Sequence, residues 1–364
     1  MLTRYVNTVA HTSGDGSTNG TGNGGTNSFV SLRAAFDWIN NNNRDAFDGT
    51  WYPLTEAVTI YCEGSTADTL SCTQADWSFG TTATKNILIT CSAGNRHSGK
   101  WDTSKYRLEV VGTSAIYNNY AAHVTLEWLQ VKITHNASST SDDTCFRLAT
   151  ANNYAVGGGG VAHKYYNCIA YPKWTAAGGG GGAYGFSDSD PAQTGSCVRV
   201  NCIAWSDTDS SFGFSTDASA WARANVKNYN CTAYVGYVSF SDDQICYNCI
   251  ADGTIGSYFT SGSPAITGSN NYSYDGSGPS TNLRSGSSTT HVSFVNTSTG
   301  DLHLNSGDTM AKDYGLSDPG SGLYSTDIDG QTRSGSWDIG ADEYQSGQSQ
   351  APRSMHQFRM RNAA

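Results

Sequence analysis

The sequence predicts an all-β fold of the β-solenoid kind, a column of parallel strands stacked rung on rung, and three observations predict it. Only five of the 31 acidic residues are Glu (Glu56, Glu63, Glu109, Glu127 and Glu343); the rest are Asp, which favours turns where Glu favours helices. Glycine supplies 41 of 364 residues and charged residues only 14%, against roughly 7% and 25% in ordinary globular chains, so short strands and many turns are expected. Most specifically, one pattern recurs four times: Tyr166-Asn167-Cys168-Ile169-Ala170, Val200-Asn201-Cys202-Ile203-Ala204, Tyr229-Asn230-Cys231-Thr232-Ala233 and Tyr247-Asn248-Cys249-Ile250-Ala251. Its asparagines are 34, 29 and 18 residues apart, so insertions of unequal length separate strands of the same shape. A second echo runs Gly185-Phe186-Ser187-Asp188, Gly213-Phe214-Ser215-Thr216 and, more loosely, Gly236-Tyr237-Val238-Ser239-Phe240. Recurrence of one residue at one corner is what parallel strands about 4.8 Å apart require.

The elements follow in order. Residues 1–50 read as an N-terminal cap: a strand at Tyr5-Val6-Asn7-Thr8, a loop at Gly14-Asp15-Gly16-Ser17-Thr18, and a short helix from Ser31 in which Leu32, Phe36 and Ile39 share one face. Residues 51–344 read as the solenoid with its C-terminal closing segment. Early strands are expected at Val58–Cys62, Ile87–Cys91, Tyr106–Val111 and Val124–Leu126, and regular coils over 145–260. The glycine runs Gly157 to Gly160 and Gly178 to Gly182 read as excursions at turns. Period-2 alternation assigns Val198, Val200, Cys202 and Ala204 to one apolar face, and likewise Tyr229, Cys231, Ala233 and Val235. The cysteines then point inward in a pile, and the asparagines sit outside or at a corner where stacked amides bond between coils. By the same alternation Cys246 and Cys249 diverge, as do Cys197 and Cys202, so the C-x₂-C spacing is not read as zinc-binding. The ten cysteines are expected to be reduced, structural thiols.

Residues 345–364 read as a separate basic and apolar tail. Arg353, Arg359 and Arg361 meet no acid there, and Met355, Phe358 and Met360 interleave with them. The expected role is anchoring on an acidic partner or a neighbouring subunit. The formal net charge of −10 argues against nucleic acid as a partner. No run of 18 apolar residues occurs, so no membrane span is expected, and the first residues show no export leader.

With its repeated Asn-Cys corners, its opening strand, Gly-rich loop and helix, and its ending, the sequence resembles the right-handed parallel β-helix repeat proteins, the class of pectate-lyase-like enzymes and phage tailspikes. The ending comprises Gly300-Asp301-Leu302-His303-Leu304, Asp327-Ile328-Asp329-Gly330-Gln331-Thr332-Arg333 and Asp338-Ile339-Gly340-Ala341-Asp342-Glu343-Tyr344. The stretch Gly99-Lys100-Trp101-Asp102 through Leu108 is similar to virion β-helix proteins expected in bacteriophages. The resemblance implies a right-handed column capped at both ends. It also implies a place on a virion made in the host cytoplasm, decorating the capsid or forming a fibre or spike. Partners would be virion proteins such as the major capsid protein, neighbouring subunits of a homo-oligomer such as a trimer, and a host surface glycan. The alternatives are a polysaccharide lyase or glycoside hydrolase, and a cell-surface protein.

Chemistry is sought first among aspartates that follow the repeated strands. Asp188, Asp207, Asp217 and Asp242 are the candidates for paired carboxylates, which sit about 5–9.5 Å apart in glycoside hydrolases. Acidic ladders of this kind also suit Ca²⁺; otherwise no cofactor is expected, and the plainer reading is Asp-rich turns. Six aromatics fall near turns of successive coils and are the candidates for stacking on sugar rings: Trp174, Tyr184, Trp205, Phe212, Trp221 and Tyr237.

Overall fold

The computed structural model describes residues 1–10, 12–22, 25–42, 54–73, 81–118, 123–136, 141–148, 162–175, 181–188, 196–216, 225–241, 244–253, 259–260, 266–286 and 290–346. The chain is mainly β, in three long stacks of parallel strands that it visits in turn, consistent with a β-solenoid. The first stack runs Leu2–Asn7, Val58–Glu63, Ile87–Thr90, Val124–Glu127, Ala162–Tyr166, Ser196–Val200, Val226–Tyr229, Ile245–Tyr247 and Thr267–Ser269. The second runs Leu108–Val111, Gln130–His135, Ile169–Trp174, Ile203–Trp205, Thr232–Tyr234, Ile250–Asp252, Tyr272–Ser273 and Arg284–Ser285. The third runs Ile116–Asn118, Asp143–Leu148, Ala183–Asp188, Ser211–Thr216, Val238–Ser241 and Phe259–Thr260.

Register follows the repeats. Ile169, Ile203, Thr232 and Ile250 are successive partners in the second stack. Phe146, Phe186, Phe214, Phe240 and Phe259 are successive partners in the third. Their rings lie face to face with centroids 4.9, 4.8, 4.8 and 4.9 Å apart, the spacing of hydrogen-bonded strands. Glycine is required beside this ladder: a Cβ at Gly213 would lie 2.5 Å from the Ser239 carbonyl oxygen. Cys168, Cys202, Cys231 and Cys249 are fully buried in the same core. Each thiol is close enough to the next for sulfur-to-sulfur hydrogen bonding, and all ten cysteines are unbridged.

The corners explain one departure from the expected alternation. Asn167, Asn201, Asn230 and Asn248 have φ between 49° and 53°, a left-handed conformation that Asn tolerates better than most residues. This kink resets the period. Val200 and Tyr229 therefore point outward, into a small cluster with Tyr324 and Trp337, while Cys202 and Cys231 beyond the corner point inward. Cys197 and Cys246 face inward too. Cys246 and Cys249 are thus buried in the same core, where unbroken alternation had the two diverging.

The N-terminal expectation holds for the helix, Leu32–Asn42, which buries Leu32, Ala35, Phe36 and Ile39 in the core shared with Val6 and Phe29. Ser31 Oγ accepts the Ala34 N–H at 3.1 Å as an N-cap, and Asp68 Oδ2 accepts the Leu32 N–H at 2.7 Å.

The C-terminal segment lies along the flank of the stack, across several rungs, where a cap over its end was expected. Asn201 donates to the Thr326 carbonyl at 2.7 Å, Asn230 to that of Asp338 at 3.3 Å, and Asn248 to that of Leu316 at 2.8 Å. Ile169, Ile203 and Ile250 on the outer face of the second stack share an apolar cluster with Leu302, Leu304, Ile328, Ile339 and Ala341. That second core explains why both parities of these strands are apolar.

Candidate functional site

Three of the aromatics form one row. Tyr184 and Phe212 stand opposite each other in register, stacked at 4.3 Å with rings 14° apart. Tyr237 meets the edge of Phe212 at 5.1 Å and is 49% exposed. Tyr184 and Phe212 are half-buried, so the row presents ring surface to solvent while the third stack holds it rigid. Rings locked in this way lose little conformational freedom when a planar apolar face, such as that of a pyranose, lies against them. Trp174 is half-buried and stacks on His135 at 4.3 Å.

Trp205 belongs elsewhere. It is buried at 5% exposure, packs on Tyr171 at 4.3 Å and donates its indole N–H to the Thr297 carbonyl at 2.7 Å. The C-terminal segment covers it, so the expectation of a solvent-facing Trp205 is corrected. Trp221 lies outside the described residues.

Of the acidic candidates, Asp188 and Asp207 fall among the described residues, and they stand in different settings. Asp188 is inside the stack, 1% exposed. It accepts from the Leu148 N–H at 2.8 Å, Tyr165 Oη at 2.6 Å, and Arg199 Nη2 and Nε at 2.6 and 3.0 Å. Its partner on the next rung is Thr216, so no rung-to-rung carboxylate pair forms there. A carboxylate saturated by bonds and sealed from solvent positions backbone; it does not meet a polymer substrate. Asp207 is exposed and bonded to Lys173 at 2.9 Å. Burial works to raise its pKa, but Lys173 and Tyr171 overcome that and hold it below the usual carboxylate range. Asp217 and Asp242 lie outside the described residues, as do Arg353, Met355, Phe358, Arg359, Met360 and Arg361 of the tail.

A site that sequence reasoning missed is a cleft of about 450 Å³ lined by Tyr234, Gly253, His291, Val292, Ser293, Phe294 and Thr297. At its side His291 Nδ1 meets Asp252 Oδ1 at 2.8 Å, and Tyr274 stacks on the imidazole at 4.4 Å. Asp252 is fully buried whereas the His291 side chain is 43% exposed. Burial raises the pKa of Asp252, and the bond from His291 opposes the rise. A buried carboxylate thus fixes the orientation of an accessible imidazole. The two residues are 39 apart, and no local motif joins them, so only the fold reveals the pair.

No helix among the described residues is long and apolar enough to cross a membrane. No known protein family matches the chain, and no curated protein is significantly similar to it.

Proposed function

We propose that the chain is a right-handed parallel β-helix serving as a rigid structural and adhesive component of a bacteriophage virion, placed on the capsid or in a fibre or spike. The observation that carries the adhesive part is the row Tyr184, Phe212 and Tyr237, held at fixed spacing on the third stack. The ladder of five phenylalanines and the pile of thiols beneath it favour a stiff rod over a mobile binding module. Ten unbridged cysteines fit assembly in a reducing compartment such as a host cytoplasm. In this reading residues 345–364 fasten the rod to a capsid protein or to neighbouring copies, as in a trimer.

The test is glycan binding by purified protein across a panel of bacterial surface polysaccharides. Binding by the wild type that falls at least tenfold in Tyr237→Ala and in Phe212→Ala supports the reading. Binding unaffected by both changes removes the row from it. Incorporation of a chain lacking residues 345–364 into particles would overturn the anchoring role.

A second reading, a polysaccharide lyase or hydrolase, draws on one observation: the imidazole of His291 held by Asp252 at the cleft, where a general base requires such orientation. Release of reducing ends or of 4,5-unsaturated sugar from the same panel, lost in His291→Ala, separates it from adhesion.

A further inference from the structure

The flank-docked C-terminal segment concentrates charge away from water. Asp301, Asp327, Asp329, Asp338, Asp342 and Glu343 are all buried, each at most 6% exposed. The bases among them are Lys100, bonded to Asp301 at 2.9 Å, Arg333, bonded to Glu343 at 3.1 Å, and His303. Six carboxylates against three bases leave negative charge in excess, and buried charge requires a counterion or a proton.

The geometry of His303 indicates which. Its Nδ1 lies 2.5 Å from Asp301 Oδ1, whereas its Nε2 lies 3.3 Å from each oxygen of Asp329. The first is a tight bond; the second is longer than the 2.7–2.9 Å or so of a charge-assisted hydrogen bond. A distance of about 3.3 Å is, however, what two ligand atoms show across a tetrahedral ion bound about 2.0–2.1 Å from each. Metal-binding histidines commonly donate their other nitrogen to a carboxylate in this way. One ligand atom from each of His303, Asp329 and Asp342 lies within 4.8 Å of the other two.

Two further observations point into the same space. The Ile328 N–H bonds the Ala341 carbonyl at 2.9 Å, and both side chains enter the apolar cluster. In the turn that follows, Gln331 Nε2 donates to Asp329 Oδ2 at 3.2 Å, which places Gln331 beside the proposed ligand. Gln331 Oε1 is a buried acceptor with no hydrogen-bond partner, as is Asp327 Oδ2 nearby in sequence; burial first and Asp342 second push the Asp327 carboxyl upward. The wall opposite is Gly99, whose missing side chain keeps the place open: a Cβ would stand 2.4 Å from His303 Nε2 and 2.7 Å from Asp329 Oδ1.

We propose that His303 Nε2, Asp329 and Asp342 bind a divalent transition-metal ion, zinc in the first instance, with Asp301 orienting the imidazole from behind. Imidazole with two carboxylates suits zinc better than calcium, which takes six to eight oxygens. The ion ties together three parts of the C-terminal segment, at His303, Asp329 and Asp342, against the wall formed by Gly99, so its role is structural and independent of glycan binding.

The experiment is elemental analysis of the full chain purified without chelator, then thermal unfolding before and after chelation and refilling. The expected result is close to one zinc per chain. Chelation should lower Tm by about 4 °C or more; zinc should restore it and Ca²⁺ should not. Asp329→Asn and His303→Gln should each lose the ion. Where either change unfolds the chain, the chelation and refilling of the wild type decide. Less than a tenth of an ion per chain after incubation with excess zinc, restoration by Ca²⁺ alone, or full zinc retention in a folded Asp329→Asn variant would each overturn the site.

Discussion

Arg199 and Asp188 form an ion pair at 2.6 Å with both side chains wholly enclosed in the stack. Arg199 also donates to Gln244 Oε1 at 2.9 Å, Asn228 Oδ1 at 3.2 Å and the Ser215 carbonyl at 3.0 Å. One guanidinium thus ties the first and third stacks together across several rungs. Removing one member leaves an unpaired buried charge, which costs about 3–5 kcal/mol, whereas replacing both by apolar groups is often tolerated. Arg199→Met and Asp188→Asn are therefore expected to lower stability steeply in urea unfolding, and Asp188→Leu with Arg199→Met to recover much of the loss. If Asp188→Asn left the urea midpoint unchanged, its assignment as an internal tie would fail.

The thiols give a second prediction. Burial pushes Cys168, Cys202, Cys231 and Cys249 well above the ordinary thiol range, and only the thiolate reacts readily. Native protein treated with N-ethylmaleimide, with no reductant present, should gain essentially no adducts by intact mass. In denaturant it should gain one at each of its ten cysteines. Fewer adducts in denaturant would mean that some cysteines are bridged.

The asparagine corners give a third. Asn201 Nδ2 donates to Asn167 Oδ1 at 3.0 Å and Asn248 Nδ2 to Asn230 Oδ1 at 3.4 Å, so a partial amide ladder runs up the corner. Asn230 also receives the Tyr324 hydroxyl at 2.5 Å. Alanine at 230 loses these bonds and is strained at a φ of 50°, whereas glycine loses the bonds alone. Asn230→Gly should therefore be milder than Asn230→Ala by about 1 kcal/mol, read from urea midpoints. Equal losses would remove the backbone argument.

That corner also shows how far the sequence could be read. The Asn-Cys repeat made the stacking and the inward thiols legible, because one residue at one corner must recur when strands lie in register. The side on which Val200 and Tyr229 emerge was not legible: alternation assumes an extended chain, and a left-handed Asn interrupts it. The buried position of Asp188 was hidden for a related reason. Its partner Arg199 looks like a surface residue until the reset period turns it inward. Trp205 read as exposed because nothing in its own coil covers it; its cover comes from residues near Thr297, 92 positions later. The cluster around His303 joins Asp329, 26 residues on, and leans on Lys100, which is 201 residues from its partner Asp301, so no familiar ligand spacing announces it.

The last prediction concerns pH. His97 is fully buried, with Nε2 2.8 Å from the Asn167 carbonyl oxygen and Nδ1 3.2 Å from the Gly99 N–H. A carbonyl only accepts and an amide N–H only donates, so Nε2 carries the proton and the ring is neutral. Burial pushes its pKa down to about 4, against the opposing pull of the Asn167 carbonyl. The unfolded chain, with an ordinary value near 6.5, takes up its proton first. The contribution of His97 is therefore complete above about pH 6.5 and is lost as pH falls toward 4, on the order of 3 kcal/mol in all. Asp338 acts in the opposite sense: burial raises it to about 7, so its neutral form favours the fold at low pH and that benefit fades as pH rises through 7. Comparison of wild type with His97→Gln cancels the carboxylates, which both proteins share. The gap between their urea stabilities should narrow by a few kcal/mol from pH 7 to pH 4.5. A gap constant over that range would mean that His97 is charged in the fold or exposed to water, and the neutral bridge from Gly99 to Asn167 would have to be abandoned.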